Sequence, residues 1–176
     1  MSDAEIAIVG ANASPDDIDQ LAAVLEDCIA GGASVNFMLP FTREDAVAFF
    51  NSIMAAVAQG DVILLAASLD GRIVGTVQLA LDTPPNQPHR AEVKKLLVHR
   101  SARRKGIGAD LLLHAERIAR QIGRTLLVLD TATDGGAEQL YEKSGWQRLG
   151  VIPDYALWPV GTFCDATFFW KKLHPK

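Results

Sequence analysis

Hydrophobic positions along the chain recur in two patterns, which predict alternating strands and helices. Apolar residues at steps of three or four indicate helices with one buried face, whereas short alternating or continuous apolar runs indicate strands. Three long helices are predicted, beginning near Ser14, Thr42 and Ile107. Seven segments are typical of strands: 5–9, 62–67, 73–81, 90–98, 125–129, 147–152 and 164–170. The pattern therefore predicts an α/β chain.

Residues that begin and end these elements support the assignment. Ser14, followed by proline and two acids, and Thr42, followed three residues later by an acid, are helix N-caps. Asp70-Gly71 is typical of a hairpin turn. The loop 82–88 contains three prolines and is not expected to join a sheet, and 153–161 is predicted to be a long turn.

The stretch 91–122, AEVKKLLVHRSARRKGIGADLLLHAERIARQI, joins a strand to an amphipathic helix through a basic turn. A helix start leaves about four backbone N–H groups without partners and carries roughly half a positive charge. Gly106 and Gly108 have no Cβ that would keep a ligand away from those groups. The turn is therefore suited to an anion.

Charge around this turn supports the same interpretation. Between Lys94 and Lys105 lie six basic residues and no acidic one, although the chain's net charge is -4. A solvated basic loop is the alternative, but two glycines at a helix start directly after a strand favour a multiply charged anion, most simply a pyrophosphate. The nucleoside triphosphate P-loop and the dinucleotide fingerprint are both absent from the sequence.

At this point the sequence resembles a known family. Val98, Arg103-x-x-Gly106-x-Gly108 and Leu111-Leu112 are similar to the acetyl-coenzyme A motif of the GCN5-related N-acetyltransferases (GNAT), written R/Q-x-x-G-x-G/A. The resemblance continues through Asp130 and Ala137-x-x-Leu140-Tyr141-x-x-x-Gly145-Trp146 to the last strand. The phrases AEVKKLLVHRSARRKGIG and VIPDYAL are most similar to the tabtoxin-resistance type of acetyltransferase.

This resemblance implies a fold and an activity. The expected fold is a single GNAT-like domain over residues 1–176, with a mixed, mostly antiparallel sheet of about seven strands and flanking helices. The implied reaction transfers acetyl from acetyl-coenzyme A to the amine of a small molecule, such as a toxin, antibiotic or amino-acid-like metabolite, by direct attack in a ternary complex. Two departures leave the pocket shape open: Arg100 replaces a frequent proline, and Trp146 replaces the usual phenylalanine or tyrosine.

The resemblance also assigns a coenzyme site. Leu96 and Val98 would offer backbone groups to the pantetheine arm, and Arg103 to Ala109 would hold the pyrophosphate. The full implied set is Leu96, Leu97, Val98, Arg103, Arg104, Lys105, Gly106, Ile107, Gly108, Ala109, Gly135, Gly136 and Tyr141. Tyr141 would also protonate the departing thiolate; the alternative is an aromatic packing residue.

An acceptor amine is protonated at neutral pH and must lose a proton before it attacks. Glu92 and Asp130 are the candidate bases, because both match positions considered catalytic in the tabtoxin-resistance type and Asp130 follows a strand end, where ligands gather. Which of them is the base stays open, and either one alternatively binds the cationic amine. Plainer roles are pairing of Glu92 with a neighbouring lysine and capping of the turn at Thr131 by Asp130.

By the same resemblance, the segment from Ser34 to Phe41 shapes the acceptor pocket. The alternative is that its apolar residues, Phe37, Met38 and Leu39, fill the core.

Composition limits the remaining function classes. Hydrophobic residues make up 49% and charged residues 22%, and no apolar run reaches the ~18 residues of a membrane span. Cys28 and Cys164 are expected to be free thiols in a reducing compartment, the first residues do not form a secretory signal, and no histidine has metal-ligand spacing. We therefore expect a cytoplasmic enzyme with no metal, nucleic-acid or membrane partner; an exposed edge strand leaves a homodimer open.

Three rival functions remain. Acetylation of a protein lysine or N-terminus would require an open groove across the strand ends, whereas the predicted 153–161 turn favours a covered acceptor side. A coenzyme A-binding sensor would bind without turnover. A nucleic-acid-binding module is the weakest reading, because the basic run is short, lacks interleaved aromatics and lies on an acidic chain.

Overall fold

The computed structural model describes residues 2–174. Its elements, in chain order, are β1 (Glu5–Val9), α1 (Pro15–Ala30), α2 (Arg43–Gln59), β2 (Val62–Leu69), β3 (Arg72–Ala80), β4 (Arg90–Val98), a 3-10 turn (Arg100–Ala102), α3 (Ile107–Gln121), β5 (Leu126–Ala132), α4 (Glu138–Lys143), β6 (Gln147–Leu157) and β7 (Phe163–Lys172).

The seven strands form one sheet in the order β1-β2-β3-β4-β5-β7-β6. Every neighbouring pair is antiparallel except β4 and β5, which are parallel and are connected through α3. The predicted mixed, mostly antiparallel sheet with flanking helices is confirmed.

The first two long helices begin at the predicted caps. The Ser14 hydroxyl accepts a hydrogen bond from the Asp17 N–H at 3.1 Å, and the Asp17 carboxylate accepts one from the Ser14 N–H at 3.0 Å. Thr42 and Asp45 form the same reciprocal pair at the start of α2. Each arrangement satisfies two backbone N–H groups that a helix start would otherwise leave free.

Different helices cover the two faces of the sheet. One core layer packs α3 against the strands, through Leu111, Leu112 and Ala115 with Leu65, Val77 and Leu127. The other packs α1 and α2 against β2 and the end of β4, through Leu21, Leu25 and Phe50 with Leu64, Ala66 and Leu97. Each fully buried leucine contributes roughly 1.5–3 kcal/mol. The continuous apolar run of β2 is thus buried on both faces, as predicted.

Two element ends differ from the predictions. The segment from Pro153 to Leu157, predicted as part of a long turn, continues β6 across a bulge between Ile152 and Ala156. The bulge places Asp154 at φ 52°, where its N–H donates to the Asp165 carboxylate at 2.9 Å. β5 runs to Ala132, because β7 pairs with it to that point, so Asp130 lies inside the strand rather than after it.

Within residues 2–174, none of the helices combines the length and the apolarity that crossing a bilayer requires.

Candidate active site

The site is created by the separation of β4 and β5. The two strands are registered only from Arg90 to Glu92, opposite Leu126 to Val128, although both continue well beyond. Past that point a cleft of about 1010 Å³ opens between them, lined by the second half of β4, the start of α3, the end of β5 and α4. Within residues 2–174, no strand therefore pairs with the β4 edge that faces the cleft.

A side-chain clamp fixes the closed end of this cleft. The Arg124 guanidinium donates to the carbonyl of Arg90 at 2.7 Å and to the carbonyl of Leu81 at 3.4 Å. The N–H groups of Thr125 and Leu126 both donate to the His89 carbonyl. Three chain segments thus meet at the paired start of the two strands, just before the strands separate.

A β-bulge shapes the β4 wall. Leu97 pairs with Thr76, and Lys94 pairs with Gln78, so one more residue lies between the paired positions on β4 than on β3. The extra residue is accommodated by Lys95, which has φ +51°. A bulge bends its strand and increases the local twist, which turns β4 away from β5.

The glycine turn forms one end of the cleft. Gly106, at φ +82°, is the N-cap of α3, and no side chain caps the helix start. A Cβ on Gly108 would lie 3.3 Å from Leu140 Cδ2 and 3.9 Å from Val98 Cγ2. The missing Cβ atom keeps this end of the cleft open beside the start of α3, where an anion would meet backbone N–H groups.

The Arg103 side chain holds the turn in place. Its Nε donates to the Val98 carbonyl at 3.0 Å, and its guanidinium also approaches Cys28 Sγ at 3.7 Å. The carbonyl of Val98 is therefore occupied within the protein. Arg104 lines the cleft, whereas Lys105 is exposed and lies outside its lining.

The second pair of predicted glycines lies across the cleft, between β5 and α4. Gly136 has φ +85°, and a Cβ on Gly135 would lie 3.0 Å from the Ala132 carbonyl oxygen. Both line the same cleft as Gly106 and Gly108. The structure therefore brings together sequence-distant glycines that no local pattern connects.

Tyr141, on α4, is buried beside the cleft. Its ring packs against Phe169 and Trp146, with centroids 5.5 and 6.0 Å away, and only 5% of the residue is exposed. Within residues 2–174 its hydroxyl makes no hydrogen bond. Burial, with a smaller contribution from Asp130, raises the pKa of the phenol. The hydroxyl is thus protonated at neutral pH and free to donate.

Two carboxylates face the cleft from adjacent strands. Glu92 is paired with Val128, two residues before Asp130, so both side chains lie on the same face of the sheet. Glu92 Oε2 is 3.2 Å from Lys94 Nζ. Asp130 is exposed to the cleft, but the surrounding cleft walls remove part of the water around its carboxylate. This burial is the main cause that raises the pKa of Asp130, and the charge of Glu92 is the second. The charges of Lys95 and Lys94 oppose the shift.

Lys95 is a site residue that sequence reasoning missed. Its ammonium donates to Asn36 Oδ1 at 2.7 Å and lies 5.8 Å from the centroid of the Phe37 ring. Burial and the nearby charge of Lys94 lower its pKa to about 8, against the opposing charges of Asp130 and Glu92. Only the bulge directs this side chain toward the α1–α2 loop, and no local sequence signal indicates the bulge.

The α1–α2 loop, which the resemblance assigned to the acceptor pocket, contacts the β6–β7 hairpin. A pocket of about 280 Å³ adjoins the cleft at Asp130, between this loop and the β6–β7 hairpin. The Ser34 hydroxyl donates to the Leu157 carbonyl at 2.8 Å, and the Leu39 N–H donates to the Pro159 carbonyl at 3.0 Å. Met38 and Leu39 are exposed rather than core-filling, whereas Phe37 packs with other aromatic rings.

Among residues 2–174, no group of three or more histidine, cysteine or acidic side chains is arranged to hold a metal ion. Apart from Lys105, every residue predicted to bind the coenzyme or to transfer a proton lines this cleft.

Comparison with known proteins gives a consistent result. A family model described as Acetyltransferase (GNAT) family matches residues 33–146. An IAA acetyltransferase of Azospirillum brasilense is 31% identical over 113 residues, which cover 64% of this chain and 72% of that protein.

Two solved structures share the fold. The N-acetyltransferase from Staphylococcus aureus Mu50 superposes with a TM-score of 0.81 at 21% identity, covering 98% of this chain and 100% of that one. The structure of yncA from Salmonella typhimurium with its cofactor acetyl-CoA superposes with a TM-score of 0.80 at 17% identity, covering 99% and 96%.

Proposed function

This chain belongs to the acetyltransferase (GNAT) family, and we propose that it acetylates the amine of a small molecule by direct attack in a ternary complex. Acetyl-coenzyme A is the acetyl donor of this N-acetyltransferase. One observation carries the proposal: the separation of β4 and β5 gathers the anion-binding turn, Tyr141 and two carboxylates around a single cleft.

The residues around the cleft fit the donor. Apart from the Val98 carbonyl, which Arg103 occupies, the edge of β4 from Val93 to Val98 offers backbone groups to an extended amide-containing arm, in the manner of an added strand. The N–H groups at the start of α3 suit the pyrophosphate, since Gly106 and Gly108 leave them open. When bound, the coenzyme supplies an activated thioester.

The protein's own groups supply the proton transfers in this proposal. Glu92 or Asp130 accepts the proton of the acceptor ammonium, and the Tyr141 hydroxyl donates one to the departing thiolate. The raised pKa of Asp130 supports its part, because a base whose pKa lies closer to the working pH is more effective. Burial raises the thiol pKa of Cys28 and of Cys164, which supports direct attack over an enzyme thiolate nucleophile.

A small acceptor is favoured over a protein by the closure of the acceptor side. Ser34 and Leu39 tie the α1–α2 loop to the β6–β7 hairpin, and the pocket beneath holds about 280 Å³. A lysine or N-terminus of a folded protein needs an open groove. The sequence phrases of 91–108 and 151–157 further support the tabtoxin-resistance type, so tabtoxin belongs among the tested amines.

We also propose a homodimer formed through β6. This edge strand of 11 residues has one side without a partner within residues 2–174, and its Leu149 is 75% exposed. Long apolar edges pair readily with a second copy. Sedimentation of the native chain and of Leu149→Lys should give a dimer and a monomer, respectively; a monomeric native chain would rule this out.

The enzymatic test measures acetyl-coenzyme A consumption against a panel of small amines and peptides. Gly108→Glu should abolish coenzyme binding, because it adds bulk and negative charge at the anion site. Ala55→Glu is the matched control, since Ala55 is exposed on α2, outside the cleft lining, and the net charge changes equally. Tyr141→Phe should lower kcat more than it weakens coenzyme binding.

The outcomes separate the candidates. Acetylation of an amine but of no peptide, lost in Gly108→Glu and retained in Ala55→Glu, supports the proposal. Efficient acetylation of peptides alone would replace the small acceptor with a protein. Coenzyme binding without acetylation of any amine or peptide would contradict the proposed catalysis.

A further inference from the structure

Gln78 carries a polar group that the fold does not use. It lies on β3, is 3% exposed, and its Nε2 has no hydrogen-bond partner among residues 2–174. Such an atom is uncommon in folded proteins, because a buried amide that gives up water without gaining a partner is destabilising. An unpaired buried amide therefore requires an explanation.

Strand register places this amide next to the acceptor site. Gln78 is directly opposite Lys94, and Ala80 is directly opposite Glu92, so Gln78 and Glu92 are diagonal neighbours on the same face. Diagonal neighbours lie about 7–8 Å apart, within reach of two long side chains. The carboxamide and the Glu92 carboxylate can therefore meet across the two strands.

The surroundings indicate that sheet packing alone does not account for the carboxamide. Thr76, the next residue of β3 on this face, is also buried, but its hydroxyl donates to the Leu65 carbonyl at 2.9 Å. The strand thus satisfies one buried polar side chain and leaves the adjacent one free. An apolar side chain of similar volume at position 78 would avoid the free-energy cost of burying an unpaired amide.

Glu92 has capacity for a further donor. One of its oxygens is near Lys94 Nζ, at 3.2 Å, and its side chain is 31% exposed. The other charged groups that face it are Lys95 of the bulge and Asp130 of β5. Entry of a cationic amine between the carboxylates would compete with Lys94 for Glu92.

We propose that Gln78 is a positioning residue, which donates a hydrogen bond from its carboxamide to the Glu92 carboxylate when the acceptor amine occupies the cleft. The inference rests on the proposed function, in which Glu92 contacts the amine. A donated hydrogen bond favours the ionised carboxylate and fixes its orientation toward the acceptor. Gln78 itself touches neither substrate nor coenzyme.

The test uses Gln78→Met, which keeps the volume and removes the donor, and an amine accepted by the native enzyme. We expect kcat/KM for the amine to fall about tenfold, as for loss of a hydrogen bond to a charged group. The acid limb of its pH profile should move to higher pH, and the KM for acetyl-coenzyme A should not change. Thr76→Val, the matched control, should lower stability without moving the acid limb.

Glu92→Gln and the double variant separate the two proposals. If Glu92→Gln retains full activity, the proposed role of Glu92 fails. If Glu92→Gln is impaired while Gln78→Met has native kinetics and an unmoved acid limb, the inference about Gln78 alone is overturned. Support requires that Gln78→Met cause no further loss in the Glu92→Gln background. Gln78→Leu provides a second donor-free variant if the methionine variant does not fold.

Discussion

Replacing Lys95 with methionine should stabilise the protein at neutral pH. The Lys95 ammonium is held between the bulge of β4 and the α1–α2 loop, where burial and Lys94 lower its pKa from 10.5 to about 8. A lysine with a lowered pKa is one whose charged form is less favourable in the folded than in the unfolded chain. Methionine has nearly the same length and carries no charge.

The structure gives the magnitude and its sign. At about 1.4 kcal/mol for each tenfold change, the lowered pKa corresponds to about 3 kcal/mol that the ammonium costs the folded state below pH 8. Against this, methionine loses the hydrogen bond to Asn36, worth about 1 kcal/mol, and the contact with the Phe37 ring, worth roughly 0.5–1 kcal/mol. The net expected gain at neutral pH is about 1–2 kcal/mol.

The pH dependence distinguishes this reasoning from a general packing effect. Between pH 8 and 10.5 the unfolded native chain binds the proton more tightly than the folded one, so native stability rises with pH over this window. The advantage of Lys95→Met should therefore shrink as pH rises. Urea unfolding of the native protein and of Lys95→Met, near pH 7 and near pH 9.5, measures this difference in stability. A variant that is equally destabilised at both pH values would refute the desolvation argument.

Three further predictions concern other parts of the fold. Glu116→Leu removes the carboxylate that lies 2.7 Å from Lys171 Nζ and should lower the free energy of unfolding, measured by urea titration, by about 3 kcal/mol. Adding Lys171→Met should recover part of this loss. Asp130→Asn should lower activity yet raise stability at neutral pH, because the raised pKa marks an unfavourable ionised form; the gain should vanish as pH falls through the ordinary aspartate range. Gly106→Ala, at φ +82°, should lower the free energy of unfolding, measured by thermal unfolding, by about 1–2 kcal/mol. Gly108→Ala, whose Cβ would be close only to the flexible end of Leu140, should lower it less; equal losses would contradict the backbone argument.

Local sequence signals predicted most of the elements. The caps at Ser14 and Thr42, the Asp70-Gly71 turn and the apolar face of α3 each depend on residues close in the chain, and each is present in the structure. The glycine turn was assigned to an anion from its position between a strand and a helix. These features need no knowledge of distant contacts.

Features set by distant pairing were not predictable. The length of β6 depends on β7, which keeps residues 153–157 in the sheet despite Pro153. The bulge at Lys95 depends on the register with β3, and the unpaired amide of Gln78 depends on what the neighbouring strands leave beside it. The hydrogen bond from the Arg103 side chain to the Val98 carbonyl was also not predicted. A basic residue in an anion-binding motif suggests a contact with the ligand rather than with the protein's own backbone.

The short junction between β4 and β5 has a mechanical consequence. Among the described residues, strand pairing joins the two arms of the sheet through three residue pairs: one arm carries the glycine turn and Glu92, and the other carries Asp130 and leads into the helix of Tyr141. A rotation of a few degrees about this clamped hinge changes every distance across the cleft while breaking few hydrogen bonds. We therefore expect coenzyme exchange to involve flexing of the sheet at this junction, and a bound coenzyme that bridges both arms should slow amide hydrogen exchange along the inner edge of β4.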